Sequence, residues 1–278
     1  MSRPLEGKVA LVSGVARGQG RSHALRLAAD GAKIIGFDIC HPIDTVPFTF
    51  GTDEDLAETA RLVRDGGGEI EVARADVRDP TQITEVLEAG LTRFGRVDVV
   101  VANAGTGQPF VPSWEMSDDA FVNVIAVNLI GVWRTLKAAI PHMIEQGDGG
   151  SCVVTGSGAS VKGLPNLAGY VASKHGVIGL VRTMARELGQ HRIRVNAVLP
   201  GNTNTEMFDN PAMRQLLVPG IAEPTDEQFL ASAGAGSPML IPFVQPDDIA
   251  EAVAWLAGPA SRYVTGTALP VDGGTAVP

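Results

Sequence analysis

Cysteine is almost missing from this sequence. Its 278 residues contain two, Cys40 and Cys152. That is too few for a disulfide framework, and the pair has no metal-ligand spacing. The five histidines (His23, His41, His142, His175 and His191) are scattered and form no HxxxH or HExxH set, so no metal site is expected. Long apolar runs are absent as well. No stretch reaches the roughly eighteen apolar residues of a membrane span. The segment from Met1 to Lys8 lacks the apolar core of a secretory signal, so a cytoplasmic location is expected. Positive charge is in deficit, with a net charge of −9 and no basic block. Such a surface repels nucleic-acid phosphates and argues against that class of partner. Neither an internal repeat nor a low-complexity linker divides the chain. With 45% hydrophobic residues, one large core is within reach, and residues 1–278 are read as one domain.

What is present is a regular alternation. Lys8–Ser13, Lys33–Asp38, Glu69–Arg74, Val97–Ala102, Ser151–Thr155, Arg192–Leu199 and Ala268–Val271 read as short apolar strands. Helical patterns occupy Gly18–Asp30, a stretch from Asp79-Pro80 to Gly95, Asp118–Glu145, Leu167–Leu188 and Asp247–Leu256. Strands alternating with helices predict an α/β fold, a doubly wound parallel sheet with helices on both faces. A ligand is then expected along the edge formed by the strand C-termini. Two stretches fit no regular element, Cys40–Thr52 and Asn202–Gln245. Long loops in compact domains are lids or binding segments, or else disordered.

The first strand runs into Ser13-Gly14-Val-Ala-Arg17-Gly18-Gln19-Gly20. Glycines there permit a tight turn and close approach of a pyrophosphate to the next helix N-terminus. Asp38 ends the second strand, where a carboxylate accepts hydrogen bonds from ribose hydroxyls and repels a 2′-phosphate. NAD is therefore favoured over NADP, although Arg17 could pair with such a phosphate. Asp76-Val77 and Asn103-Ala104-Gly105 follow the third and fourth strands. Pro200-Gly201-Asn-Thr203-Asn-Thr205 follows the sixth, with hydroxyls and backbone N–H groups able to bind a carboxamide or phosphate. Asn128 interrupts an apolar frame, which predicts a buried amide needing partners, whether functional or a satisfied core residue.

Tyr170-Val-Ala-Ser-Lys174 places a phenol and an ammonium one helical turn apart on one face. Such pairs also occur on solvated helices. Beside a hydride carrier, an ammonium that lowers the phenol pKa makes Tyr170 an acid/base for an alcohol or carbonyl. Ser157, upstream, can supply a second hydrogen bond to the same substrate oxygen.

In this order and context, the glycine turn, Asn103-Ala-Gly, Asn128, Ser157, Tyr170-xxx-Lys174 and Pro200-Gly201 resemble the short-chain dehydrogenases/reductases, whose fold is Rossmann-type. The resemblance runs from Lys8 to the Val271-Asp-Gly-Gly tail. Gly18-Gln-Gly-Arg-Ser-His23, Phe37-Asp-Ile-Cys40 and the extra segment after it are similar to the mycofactocin-coupled, carveol-dehydrogenase-like subgroup. That likeness implies that Cys40–Thr52 covers a tightly held NAD recycled in place by a separate redox partner. It also implies roles: Tyr170 as acid/base, Lys174 as its modulator and ribose ligand, Ser157 on the substrate oxygen, and Asn128 holding a water that links Lys174 to solvent. Ile39, Asp76, Val77, Asn103, Gly105, Pro200 and Thr203 are implied to line the cofactor, and a homotetramer is implied as the assembly. The sequence departs from the family at Ser13, usually Thr, and at Gly156, where Ser is common.

The leading reading is an NAD-dependent oxidoreductase of secondary alcohols. Apolar residues Met207, Phe208, Met213, Leu216, Leu217, Met239, Leu240 and Phe243, with Phe110 and Trp114, are expected to wall a pocket for a hydrophobic cyclic, terpenoid-like substrate. A non-catalytic dinucleotide sensor on the same fold is the alternative, but it has no need of Ser157, Tyr170 and Lys174. A sugar-nucleotide epimerase or dehydratase would need a larger C-terminal part. A serine hydrolase would need GxSxG, where this chain has Thr-Gly-Ser157-Gly.

Overall fold

Strand β1 (Val9–Ser13) is buried along its whole length. Because side chains alternate along a strand, Val9 and Leu11 enter one apolar layer while Ala10 and Val12 enter the other. That double burial requires helices on both faces. The computed structural model, which describes residues 3–276, provides them. Residues 1, 2, 277 and 278 of the expected domain lie outside the described residues.

Helix α1 (Gly18–Ala29) leads to β2 (Lys33–Asp38), α2 (Asp53–Asp65) to β3 (Ile70–Arg74), and α3 (Pro80–Phe94) to β4 (Val99–Ala102). Next come α4 (Asp118–Ile125), α5 (Val132–Gln146), β5 (Gly150–Thr155), α6 (Ala168–Leu188) and β6 (Ile193–Pro200). The chain closes with α7 (Pro211–Leu217), α8 (Asp226–Gly234), α9 (Pro246–Ala257) and β7 (Ala268–Val271). All seven strands are parallel, in the order β3-β2-β1-β4-β5-β6-β7. Residues of α3, α5 and α6 fill one layer, and those of α1, α2 and α9 the other.

The direction of winding reverses between β1 and β4, which pair through Ala10–Val99 and Val12–Val101. Crossovers leaving that point on opposite faces open a crevice beyond the strand C-termini. The glycine turn and Asn103 flank it.

Local signals explain the boundaries. Thr52 and Asp55 form a reciprocal capping box at the start of α2. Asp79 caps α3 ahead of Pro80, and Gly95 ends it in the left-handed conformation. Three expectations change. The helix Asp53–Asp65 has no counterpart among the elements read from the sequence. The Asn202–Gln245 stretch is not irregular, since it contains α7 and α8. The expected single helix over Asp118–Glu145 is interrupted by a π-helical segment, Ala126–Gly131, which contains Asn128. The stretch Asp118–Gln146 is long enough to cross a membrane, and its most apolar window has a mean hydropathy of 1.3. Half of its most apolar window is buried in the protein, as in a core helix.

Candidate active site

The β1 turn is built around backbone contact. Gly14 has φ 75°, and a Cβ there would lie 2.9 Å from Ala104 Cα. Gly20 packs against the Gly14 carbonyl so closely that a Cβ would fall 1.8 Å from its oxygen. No side chain caps α1, whose N-cap position is Arg17, so its first N–H groups face the crevice unpaired by any side chain. Ser13 uses its hydroxyl to accept from the N–H groups of Asn103 and Ala104, both at 3.0 Å. The usual Thr is therefore replaced without losing the bond. Asn103 donates in turn to the Ser13 carbonyl at 3.1 Å and accepts from Thr155 Oγ1 at 3.1 Å. One amide thus joins the ends of β1, β4 and β5.

A cavity of about 450 Å³ opens over these strand ends. Gly14, Arg17, Gly18, Gln19, Gly20, Asp38, Ile39, Asp76, Val77, Asn103, Ala104, Gly105, Ser157, Tyr170, Lys174, Pro200, Gly201, Thr203 and Thr205 all line it. Asn128 is the site residue that does not. It is fully buried behind the wall, with Oδ1 accepting from the Thr106 N–H and Nδ2 donating to the Thr106 carbonyl, both at 2.8 Å. The expectation of a partnered buried amide holds, and the partner is the backbone of the β4 loop.

Asp38 accepts from the Ala16 N–H at 3.0 Å, so it also steadies the glycine turn. Arg17 is committed elsewhere: its guanidinium donates to the hydroxyl and carbonyl oxygens of Thr49. It therefore ties down Cys40–Thr52 instead of standing ready for a 2′-phosphate. That segment folds over the cavity, contributing Ile43, Phe48, Thr49 and Phe50 to the lining. A Cβ on Gly51 would come within 2.8 Å of Ala16 Cβ, and one on Gly107 within 2.8 Å of the Phe48 ring. Asp76 forms a 2.7 Å ion pair with Arg78, which also donates to Asn123. Asn123 donates to Thr45. The covering segment is thus tethered at two points, Thr45 and Thr49.

At the other end lie the acid/base candidates. Ser157 follows β5 in extended backbone and starts a short 3-10 turn, Gly158–Ser160. Gly156 leaves room for Leu199, whose Cδ2 would lie 2.5 Å from an added Cβ and would have to shift. Lys174 Nζ donates to the Thr155 carbonyl at 2.7 Å and sits 5.7 Å from the Tyr170 ring centroid. The Ser157 hydroxyl lies near the Tyr170 phenol and favours its ionised form.

These features converge on one family. A family model described as Enoyl-(Acyl carrier protein) reductase matches residues 14–276. The chain belongs to the short-chain dehydrogenase/reductase family. An uncharacterized oxidoreductase of Mycobacterium tuberculosis is 48% identical over 278 residues, covering 99% of this chain and 98% of that one. A (−)-trans-carveol dehydrogenase of Rhodococcus erythropolis is 40% identical over 272 residues, 98% of each chain. The crystal structure of a carveol dehydrogenase from Mycobacterium avium in complex with NAD matches with a TM-score of 0.97 at 45% identity, covering 99% of both chains.

Within this short-chain dehydrogenase, two sequence expectations need correction. The phenol is not lowered by its lysine neighbour. Burial pushes Tyr170 above the ordinary phenol range, with only the nearby Ser157 hydroxyl opposing it. Burial also lowers Lys174 to about 8. Both charged forms lose hydration in the same pocket, and that loss dominates. The apolar wall is also smaller than expected. Met207, Phe208, Met213, Leu217 and Phe110 line the cavity, but Leu216, Met239, Leu240, Phe243 and Trp114 do not. Trp114 and Leu240 are more than four-fifths exposed, at 83% and 81%. Phe243 packs edge-on against Phe208 at 6.2 Å and supports the wall from behind.

The residues fit a dinucleotide. The glycine cradle would be filled by any side chain, and Gln19 Oε1 and Thr106 Oγ1 line the cavity buried and without a hydrogen-bond partner. Sequence reasoning missed Thr155 and Thr106. A hydroxyl two residues before Ser157, and one directly after Asn103-Ala-Gly105, were the available signals. Phe48 and Thr49 lay in a segment recognised as a cover but not read residue by residue.

Proposed function

We propose that this short-chain dehydrogenase interconverts a hydrophobic, cyclic, terpenoid-like secondary alcohol and its ketone with NAD. One observation carries the reading: Ser157, Tyr170 and Lys174 meet in a cavity with the nucleotide cradle at one end and an apolar wall at the other. When bound, NAD supplies the hydride acceptor at the carbon and, in its oxidised form, a cationic ring that favours ionised Tyr170. Ser157 holds the substrate oxygen. In oxidation the alcohol O–H proton passes to Tyr170 Oη as the carbon loses hydride, and in reduction Tyr170 returns it. Lys174, held on the Thr155 carbonyl, has further protons to donate to the nicotinamide ribose. Asn128 positions the β4 loop, and through it a water that connects Lys174 to solvent.

Asp38 selects NAD. Asp38→Ala removes a carboxylate that opposes a 2′-phosphate, a like-charge juxtaposition worth several kcal/mol. The preference for NAD over NADP in kcat/KM is expected to fall by about tenfold or more. An unchanged ratio would assign the preference elsewhere.

The tethered cover supports a cofactor that stays between turnovers and passes its hydride to a redox partner. The relative named for carveol supports the cyclic alcohol. Protein purified without added cofactor is expected to carry NAD by mass spectrometry, and to oxidise cyclic terpenoid alcohols with an artificial electron acceptor but not with free NAD. Empty protein that turns over rapidly with free NAD would sink the retained cofactor. Turnover confined to small sugars would sink the substrate class. An exposed apolar patch of Ile130, Trp133 and Leu180 on α5, α6 and the π segment supports self-association as a homotetramer.

A further inference from the structure

Helix α6 carries both Tyr170 and Lys174, yet it lacks a cap of its own. Leu167 occupies the N-cap position, no side chain there accepts a hydrogen bond, and the first turn has no acidic residue. The first N–H groups of a helix have no intrahelical partner and need one from a side chain or water. One of these groups is satisfied from elsewhere. The Tyr170 N–H donates to Gln108 Oε1 at 2.6 Å.

Gln108 lies in the loop after β4 and is 1% exposed. Its Nε2 donates to the Asn166 carbonyl at 3.3 Å and, more weakly, to the Pro109 carbonyl at 3.4 Å. Asn166, at φ 64°, turns the chain into α6. The two ends of one amide therefore grip the helix start and the turn before it. The fit is close: a Cβ on Gly169 would lie 3.0 Å from Gln108 Oε1 and 2.7 Å from Val124 Cγ1. Gln108 follows Thr106, whose backbone is gripped by Asn128, so this loop is held from two sides. A buried amide with both ends bonded is a rigid spacer, since losing either partner strands a polar group.

We propose that Gln108 is a positioning residue for the dehydrogenase reaction, capping α6 from another segment and setting where Tyr170 stands relative to Ser157. This rests on the reading of Tyr170 as the acid/base. Ser157 is carried by β5 and Tyr170 by α6, so their alignment depends on how α6 begins. Misplacement of a reacting group by about 1 Å costs on the order of a hundredfold in rate.

Two variants test it. Gln108→Met matches the length and removes every hydrogen bond. Its kcat should fall about 10- to 100-fold, with KM for NAD within about twofold because no cradle residue is touched. Gln108→Glu keeps an acceptor for the Tyr170 N–H but brings a buried negative charge beside it. A like charge disfavours phenolate, so the acid limb of alcohol oxidation should move to higher pH by about one unit. A merely structural role would not move that limb. Should Gln108→Met fail to fold, Gln108→Glu decides the matter by its pH profile. A folded Gln108→Met with kcat within about twofold of the parent, or an unshifted Gln108→Glu profile, overturns the proposal. Tyr170→Phe assayed alongside separates the two readings. An inactive Phe variant with unaffected Gln108 variants refutes the capping role alone, while an active Phe variant refutes the acid/base assignment as well.

Discussion

Tyr170→Phe is expected to lower kcat by about 10²- to 10⁴-fold, the usual worth of a positioned acid/base, while NAD stays bound. The substitution deletes one oxygen. The ring remains, as does its packing over Lys174, whose Nζ lies 5.7 Å from the ring centroid. Lys174 keeps its 2.7 Å bond to the Thr155 carbonyl. Only the proton route through Oη disappears. Burial raises Tyr170, so the phenol of the free protein is protonated near neutral pH, while Lys174, lowered to about 8, is mostly charged there. Oxidation needs Tyr170 to lose its proton, so the wild-type rate should climb as pH rises. Reduction needs the proton and should decline over the same range. The Phe variant should lose that dependence along with its turnover. Steady-state kinetics across pH, paired with mass spectrometry of bound nucleotide, measures both. A Phe variant that retains wild-type turnover would remove Tyr170 from the mechanism. One that keeps a full biological output without turnover would favour the dinucleotide-sensor reading.

Gly20→Ala should be nearly as damaging, at the opposite end of the cavity. The added Cβ would lie 1.8 Å from the Gly14 oxygen, 2.6 Å from its carbon and 2.8 Å from Asn103 Nδ2. Two of those atoms are backbone and cannot turn aside. The third belongs to the amide that joins β1, β4 and β5. Relief requires the glycine turn to move off α1, which displaces the N–H groups that face the crevice. NAD binding is expected to weaken by about a hundredfold or more, ~2.8 kcal/mol, and overpacking should cost about 1–3 kcal/mol of stability. Calorimetric titration and denaturant melts would read the two effects separately. Gly189→Ala is the control, since a Cβ there meets nothing within 4 Å. It should leave both quantities near wild type. A Gly20→Ala protein that binds NAD normally would mean that the turn does not cradle the pyrophosphate.

Each of these residues could be picked out of the linear sequence, for a common reason. Strand, glycine turn and helix lie within one βαβ unit, so their geometry is local and their chemistry is written in consecutive residues. Tyr170 and Lys174 share a helix face by spacing alone. The end of the covering segment does not read as a helix start, because the Thr52–Asp55 capping box of α2 shows only in the structure.

Other features depended on which segments meet. The Arg17 side chain had two possible uses, and only the folded segment beside it shows that Thr49 takes it. The apolar residues of 202–245 divide between cavity wall, support and surface according to how α7 and α8 pack, which periodicity in a loop cannot reveal. The direction of the Tyr170 shift is not legible in the sequence, because spacing reports proximity to a charge but not burial, and burial dominates here. Gln108 carries no motif. It became visible only when the β4 loop and the start of α6 came together.

The sequence by itself thus determined the family, the glycine turn of its βαβ unit and the Tyr170–Lys174 pair proposed as acid and base, because those depend on short-range order and residue chemistry. The tertiary structure alone decided how that pair is held, which segment folds over the cavity and which side chains line it. Those are properties of contacts between residues far apart in the chain, made definite by close packing.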